Sequence, residues 1–311
     1  MDAAEKPACS QTDSVTGVIR RWMPSDPRVF QILFLGILLG AGVWLRDFSL
    51  RPAQIILTFA SALCTQYVSW LLNPPKSRSF RSAIITSFSL SLLLRADNLT
   101  AHPLAAMAAI ASKSTFRFRG KHLFNPATFG LVFAICALPG GWISPGQWGH
   151  DLAAGGWIVA LGVLVTTRAR RSDISWTFLL FYLGGIAVRV LWLGQLWPVW
   201  AHQLTNGALL LFTFFMISDP MTGPNARPGR ITHAALVAAI ALAWQFGFYL
   251  NNGLIWALFL AAPAVPLWDS VWPAAKFEWL PQGDRYEIAT PIDARSGGVS
   301  AVHDHIPRAA A

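Results

Sequence analysis

Apolar residues run along this chain in ten stretches separated by short polar breaks: 29–45, 52–72, 82–94, 103–111, 126–138, 152–166, 174–193, 204–217, 231–248 and 254–267. None alternates with the period of two that a half-buried strand would show, so the pattern predicts helices. A helix crossing a hydrocarbon core needs about 20 apolar residues. The third, fourth, fifth and eighth stretches are shorter, and Pro, Asn, Asp or Gly bounds each of them. Interrupted helices survive in a bilayer only where the irregular backbone faces protein or a watery cavity. In transporter folds such segments point to the binding site.

Charge in the breaks predicts orientation. Arg20, Arg21 and Arg28 precede the first stretch, and Lys76, Arg78 and Arg81 fill the second loop. The fourth loop holds Lys113, Arg117, Arg119 and Lys121, the sixth Arg168, Arg170 and Arg171, and the eighth Arg227 and Arg230. Odd loops are nearly free of lysine and arginine; the exceptions are Arg46 and Arg51 in the first and Arg95 in the third. Positive loops stay in the cytoplasm. Ten crossings therefore predict a multi-pass protein of the bacterial inner membrane with both termini cytoplasmic. The expected organisation is a cytoplasmic tail over 1–28, a membrane repeat over 29–138, an outer loop over 139–151, a second repeat over 152–268 and a cytoplasmic tail over 269–311.

The repeat has a sequence trace. Asp97 and Thr100 close the third stretch, and Asp219 and Thr222 close the eighth at the same separation. Asn125 opens the fifth stretch, and Asn251-Asn252 opens the tenth at nearly that separation. Repeats of five helices each must run through the membrane in opposite senses, with a site between them. The predicted class is all-α integral membrane, with about ten helices in two inverted repeats.

Composition agrees with a lipid-facing protein. Hydrophobic residues make up 54% and charged residues 13%, about half the charge of a soluble domain. Fifteen Trp suit the two interfaces. The net charge of +9 is spread over short loop clusters, which argues against the continuous basic face of a nucleic-acid binder. Cys9, Cys64 and Cys136 have no paired spacing, so neither a disulfide framework nor a zinc site is expected. The polar head has no cleavable apolar leader. His303-Asp304-His305 has the look of a ligand pair, but a solvated tail is the expected setting and no metal site is assigned.

Asp219 follows a long apolar run and Pro220 then stops the helix. Two readings stay open for it: a functional membrane-edge carboxylate, or a cap on loop amides. Asn125-Pro126 is a good helix start, and its positive dipole end suits an anion or an electron-rich ring. Arg189 and His202 read as interfacial residues.

Lys113, then Phe124-Asn125-Pro126-Ala127, then Phe214-Phe215-Met216-Ile217-Ser218-Asp219-Pro220-Met221-Thr222, then Pro266-Leu267-Trp268-Asp269 occur in that order. They resemble the landmarks of the RnfD/NqrB family, membrane subunits of Rnf electron-transport complexes and of the sodium-pumping NADH:quinone oxidoreductase. The resemblance covers about residues 30–275. It implies a urea-transporter-like fold and flavin-linked electron transfer coupled to Na⁺ or H⁺ movement, beside other electron-transfer subunits. It also implies a cofactor site at Lys113, Asn125, Asn206, Gly207, Ser218, Asp219 and Thr222. Members with covalent FMN esterify a Thr in a long segment after the FNPA helix. Here that segment is only 139–151 and has no Thr, and the second family stretch reads Asn206-Gly207-Ala208-Leu209, again without Thr. The expectation is therefore FMN or riboflavin held non-covalently, in a stand-alone member. The alternative is a channel or transporter for a small neutral solute with no redox role.

Overall fold

A computed structural model describes residues 26–45, 48–75, 78–144, 152–204 and 206–277. Cys9, Arg20, Arg21, Arg46, Lys76, most of the 139–151 loop and the His303-Asp304-His305 tail lie outside them.

The helices are α1 (Pro27–Leu45), α2 (Pro52–Leu72), α3 (Arg81–Leu93), α4 (Ala101–Thr115), α5 (Pro126–Ala137), α6 (Leu152–Arg168), α7 (Ser172–Trp192), α8 (Trp197–Leu204), α9 (Gly207–Leu211), α10 (Arg227–Leu242), α11 (Gly253–Ala261) and α12 (Val265–Val271). Wide π turns extend α9 over Phe212–Met216 and α10 over Ala243–Gly247, and a 3₁₀ turn at Ala262–Ala264 joins α11 to α12. Four short strands complete the described residues: β1 (Leu94–Ala96), β2 (Arg117–Phe118), β3 (Lys121–His122) and β4 (Gly141–Ile143). β1 pairs antiparallel with β4, Leu94 opposite Ile143, and β2 pairs with β3.

Four helical segments are long and apolar enough to cross a membrane: Pro27–Leu45, Pro52–Leu72, Ser172–Trp192 and Gly253–Val271. Four shorter apolar ones accompany them: Arg81–Leu93, Pro126–Ala137, Gly155–Arg168 and Gly207–Met216. Leu33, Ile37, Trp44, Ile56, Leu71, Leu180, Val188 and Trp192 face outward, exposed, which water would penalise and lipid does not. Polar side chains inside these helices turn back on their own backbone. Thr58 donates to the Gln54 carbonyl at 2.6 Å, Thr166 to Gly162 at 2.9 Å and Thr213 to Leu209 at 2.7 Å, so these hydroxyls carry no unmet donor into an apolar surrounding. The molecule is an all-α multi-pass membrane protein.

The two halves of the chain use the same packing. α4 lies on α2 and α10 on α7; α3 lies on α1 and the α9–π segment on α6; α5 lies on α4 and α11 on α10. The halves meet where α1 touches α6 and α5 touches α11.

Two helices differ from their hydrophobic stretches. α4 runs past both ends of 103–111, because its polar ends keep helical partners: Ser112 donates to the Ala109 carbonyl at 2.7 Å and Thr115 to Ala111 at 3.1 Å. The stretch 204–217 is not one helix. Asn206 starts α9 afresh by accepting the Ala208 and Leu209 N–H groups at 3.0 and 3.4 Å, and α8 stands before it as a separate short helix.

Candidate functional site

Asn125 holds the first junction together. Its Oδ1 accepts the Thr128 N–H at 3.1 Å and so caps α5, with Pro126 in the first turn. That leaves the amide Nδ2 to donate across the molecule, to Asp219 Oδ2 at 3.3 Å and to the Met216 carbonyl at 3.4 Å. Asp219 is a hub for donors: Oδ1 accepts the Met221 N–H at 3.0 Å and Oδ2 accepts the Thr222 hydroxyl at 3.2 Å. Lys113, buried in the last turn of α4, donates to Gln66 Oε1 at 3.2 Å and stands within electrostatic reach of Asp219. Ser218 is turned away, donating to the Phe214 carbonyl at 2.6 Å. Sequence-expected Lys113, Asn125, Asp219 and Thr222 thus gather at one junction, while Ser218 serves its own helix.

A second polar group adjoins them. Lys121 Nζ meets Asp269 Oδ2 at 2.9 Å and Asn225 Oδ1 at 3.2 Å, and Asp269 Oδ1 accepts the Asn225 N–H at 2.8 Å. Burial pushes the Lys121 ammonium below the usual lysine range, and Asp269 opposes that shift. His122, whose Nδ1 lies 3.0 Å from the Lys113 carbonyl, is pushed down to about 4 by burial and by the charges of Lys113 and Arg117. It is neutral near pH 7. Arg171 at the start of α7 donates to the Pro224 carbonyl at 2.8 Å, and Arg230 Nε pairs with Asp173 at 2.7 Å. Between the two groups a small cavity of about 10 Å³, bounded by Asn125, Thr222 and buried His233, has room for one water. Lys121, Asn225 and His233 were not singled out from sequence, and Asp269 entered only as the end of a landmark stretch, not as a site residue. Lys121 read as one more basic loop residue, and the partners lie far apart in the chain.

Asn206 and Gly207 belong elsewhere. They stand at the opposite end of the Gly207–Met216 segment, about 15 Å away at helical rise. There a cavity of about 170 Å³ is lined by Tyr182, Gln203, Asn206, Gln245, Asn251 and Asn252, with Phe212 and Met216 at its base. Among the described residues, every polar side chain in its lining is uncharged. Tyr182 donates to Gln245 Oε1 at 2.8 Å, which fixes both. Asn252 sits at φ +61 before α11 and makes no cap with its side chain. Phe212, Phe214, Phe215, Met216 and Ile217 are all buried between this cavity and the Asp219 junction. The residues that the resemblance groups together therefore lie in two places, one at each end of the broken segment.

Helices long and apolar enough to cross a membrane, with a broken segment carrying polar clusters at both its ends, define the class: a polytopic membrane protein. Residues 144–278 match the profile of the NQR2, RnfD, RnfE family. The chain is 25% identical over 279 residues to a subunit of the ion-translocating oxidoreductase complex of Pseudomonas paraeruginosa, covering 70% of this chain and 75% of that protein. The counterpart of that subunit in Escherichia coli is 30% identical over 129 residues, 41% of this chain and 32% of that protein. The one in Cronobacter sakazakii is 38% identical over 68 residues, 22% and 19% of the two chains. The chain is thus similar to this family over its second half, and to one curated relative over most of its length.

Proposed function

We propose that this chain is an RnfD-like membrane subunit of an ion-translocating electron-transport complex, and that a neutral redox ring, a flavin or a quinone, sits non-covalently in the amide-lined cavity. The reading includes ten crossings in two inverted repeats, an inner-membrane location and both termini in the cytoplasm. It places other electron-transfer subunits beside this one. The match of residues 144–278 to the family profile and the names of the relatives support the subunit role. The matched packing of the two halves supports the repeats.

The observation that carries the redox reading is the uncharged lining of the 170 Å³ cavity. Side-chain amides offer donors and acceptors together. They match the alternating edge of an isoalloxazine, or the two carbonyls of a quinone, without a fixed charge to displace, and Phe212 offers a face to stack on. The residues present fit such a ring. When bound, it would supply the capacity to take up and pass on electrons. The protein's part is orientation: Tyr182 and Gln245 hold each other, and Asn206 is pinned by capping α9. The sequence over 139–151 offers no Thr for a phosphate ester, so a flavin here is released on denaturation.

The same lining would pass a small neutral solute. Against an open channel stands the plug of buried side chains from Phe212 to Ile217. Detergent-purified protein separates the readings. Flavin absorbance that Gln245→Leu weakens, and that SDS releases, is the expected result. In-gel fluorescence surviving SDS would sink the non-covalent assignment. A colourless protein that still raises solute flux in liposomes would sink the redox reading.

A further inference from the structure

Phe116-Arg117-Phe118-Arg119-Gly120-Lys121 alternates aromatic and basic side chains and then folds back as the β2–β3 hairpin. Arg119 at φ 48 and Gly120 at φ 76 form its two-residue turn, the left-handed pair that suits a tight hairpin. Glycine accepts this conformation freely; arginine accepts it at a cost. Phe116 and Phe118 are 41% and 47% exposed. The tip therefore presents two partly exposed phenyl rings, Phe116 packed on Phe124 and Phe129 and Phe118 beneath the Arg119 guanidinium.

Behind the tip lies a cavity of about 180 Å³ with Phe118, Arg119, Lys121, His122, Asp269 and Lys276 in its lining. Among the described residues three cations there face one carboxylate, and that carboxylate is already taken up by Lys121 and by the Asn225 N–H. Neutral His122 adds nothing to the balance. Lys276 gives one proton to the Gly120 carbonyl at 2.8 Å, which leaves two donors on its ammonium. The Arg119 guanidinium lies over the Phe118 ring at 5.4 Å, so its N–H edge remains available for a bidentate anion.

We propose that this cavity binds the phosphate of an anionic phospholipid headgroup, with Arg119 and Lys276 on the phosphate and Phe116 and Phe118 in the acyl boundary. Charge complementarity calls for an anion. The exposed phenyl rings call for one that carries hydrocarbon, which a soluble phosphate lacks. The cavity adjoins the Asp219 junction through Lys121, Asn225 and Asp269, but the proposal does not depend on the redox reading.

The test is native mass spectrometry and thermal melting of the full chain in mild detergent. Short-chain phosphatidylglycerol, phosphatidylcholine of the same chain length, and glycerol phosphate are the three probes. Phosphatidylglycerol should stay bound and raise the melting temperature, and the other two should not. Arg119→Gln with Lys276→Gln, both exposed, should weaken retention on the order of ten-fold. Arg227→Gln, an equally exposed cation outside the cavity, should leave it unchanged. Equal retention of phosphatidylcholine, an undiminished double variant, or an equal loss in Arg227→Gln would overturn the site. Saturation by glycerol phosphate at the same concentration would overturn the lipid assignment in favour of a soluble phosphate.

Discussion

At the residue scale, Asp219 decides between two physical roles. Both of its oxygens accept, from the Met221 N–H, the Thr222 hydroxyl and the Asn125 amide. An asparagine at 219 would set N–H groups against the donors on Asn125 and Thr222, so Asp219→Asn should lower the melting temperature by the equivalent of roughly 1–3 kcal/mol. Exchanging the pair, Asp219→Asn with Asn125→Asp, restores one donor facing one acceptor and keeps an oxygen to cap Thr128. The exchanged protein should regain most of that stability. If the negative charge at 219 also serves to balance Lys113, cofactor retention or electron transfer should stay low in the exchanged protein although it melts normally. Wild-type melting of the single variant would refute the bridging role drawn from the geometry. Sequence pointed to Asp219 through Pro220 and the preceding apolar run, and to Asn125 as a cap. It did not tell that one side chain completes the other, because the contact joins positions 94 residues apart.

At the scale of elements, the hydrophobic pattern located the helices well where lipid or core surrounds them. α2 coincides with its stretch, and α5 and α7 differ by one or two residues. It failed where backbone pairing, not side-chain burial, sets the structure. β1 and β4 pair across 45 residues of chain and carry no alternation of their own. The π turns at Phe212–Met216 and Ala243–Gly247 leave no compositional mark. Close helix approach was also hidden. A Cβ on Gly130 of α5 would lie 2.7 Å from the Ala105 carbonyl oxygen and 2.8 Å from the Ala109 Cβ, both on α4. Backbone and a methyl group cannot swing aside, so Gly130→Ala should force α4 and α5 apart, at a cost of about 1–3 kcal/mol. Gly156 of α6 has nothing within 4 Å of its Cβ position. Gly156→Ala should melt no lower than wild type in detergent, and Gly130→Ala clearly lower. Equal melting of the two would show that this helix pair is looser than these distances imply.

At the scale of the whole molecule, contacts among the described loops are compatible with the grouping that the loop charges suggest. The loops that charge assigns to the cytoplasm are tied to one another. Arg81 pairs with Asp26, the Arg168 guanidinium covers the Phe30 ring at the start of α1, Arg171 reaches the Pro224 carbonyl, and Lys121 reaches Asn225 and Asp269. The loops assigned outside are tied likewise. Arg95 lies over Phe48, Gln54 donates to the carbonyls of Ala96 and Asn98, Asn98 donates to Pro139, and Leu93, Ile143, Asn206 and Asn252 share one cavity. Partners on opposite sides of a bilayer could not touch, since no side chain spans roughly 30 Å, so these contacts support the proposed grouping of loops. Reporter fusions after Arg119, Arg170 and Arg227 should therefore report cytoplasm, and fusions near Gly141 and Asn252 the outside. Gly141 is the discriminating position. It is bound to the third loop through β1–β4, and it follows α5, one of the segments too short to cross alone. A cytoplasmic signal there would mean that α5 turns back without crossing. That would end both the ten-crossing count and the inverted pair of repeats, while leaving the two polar sites in place.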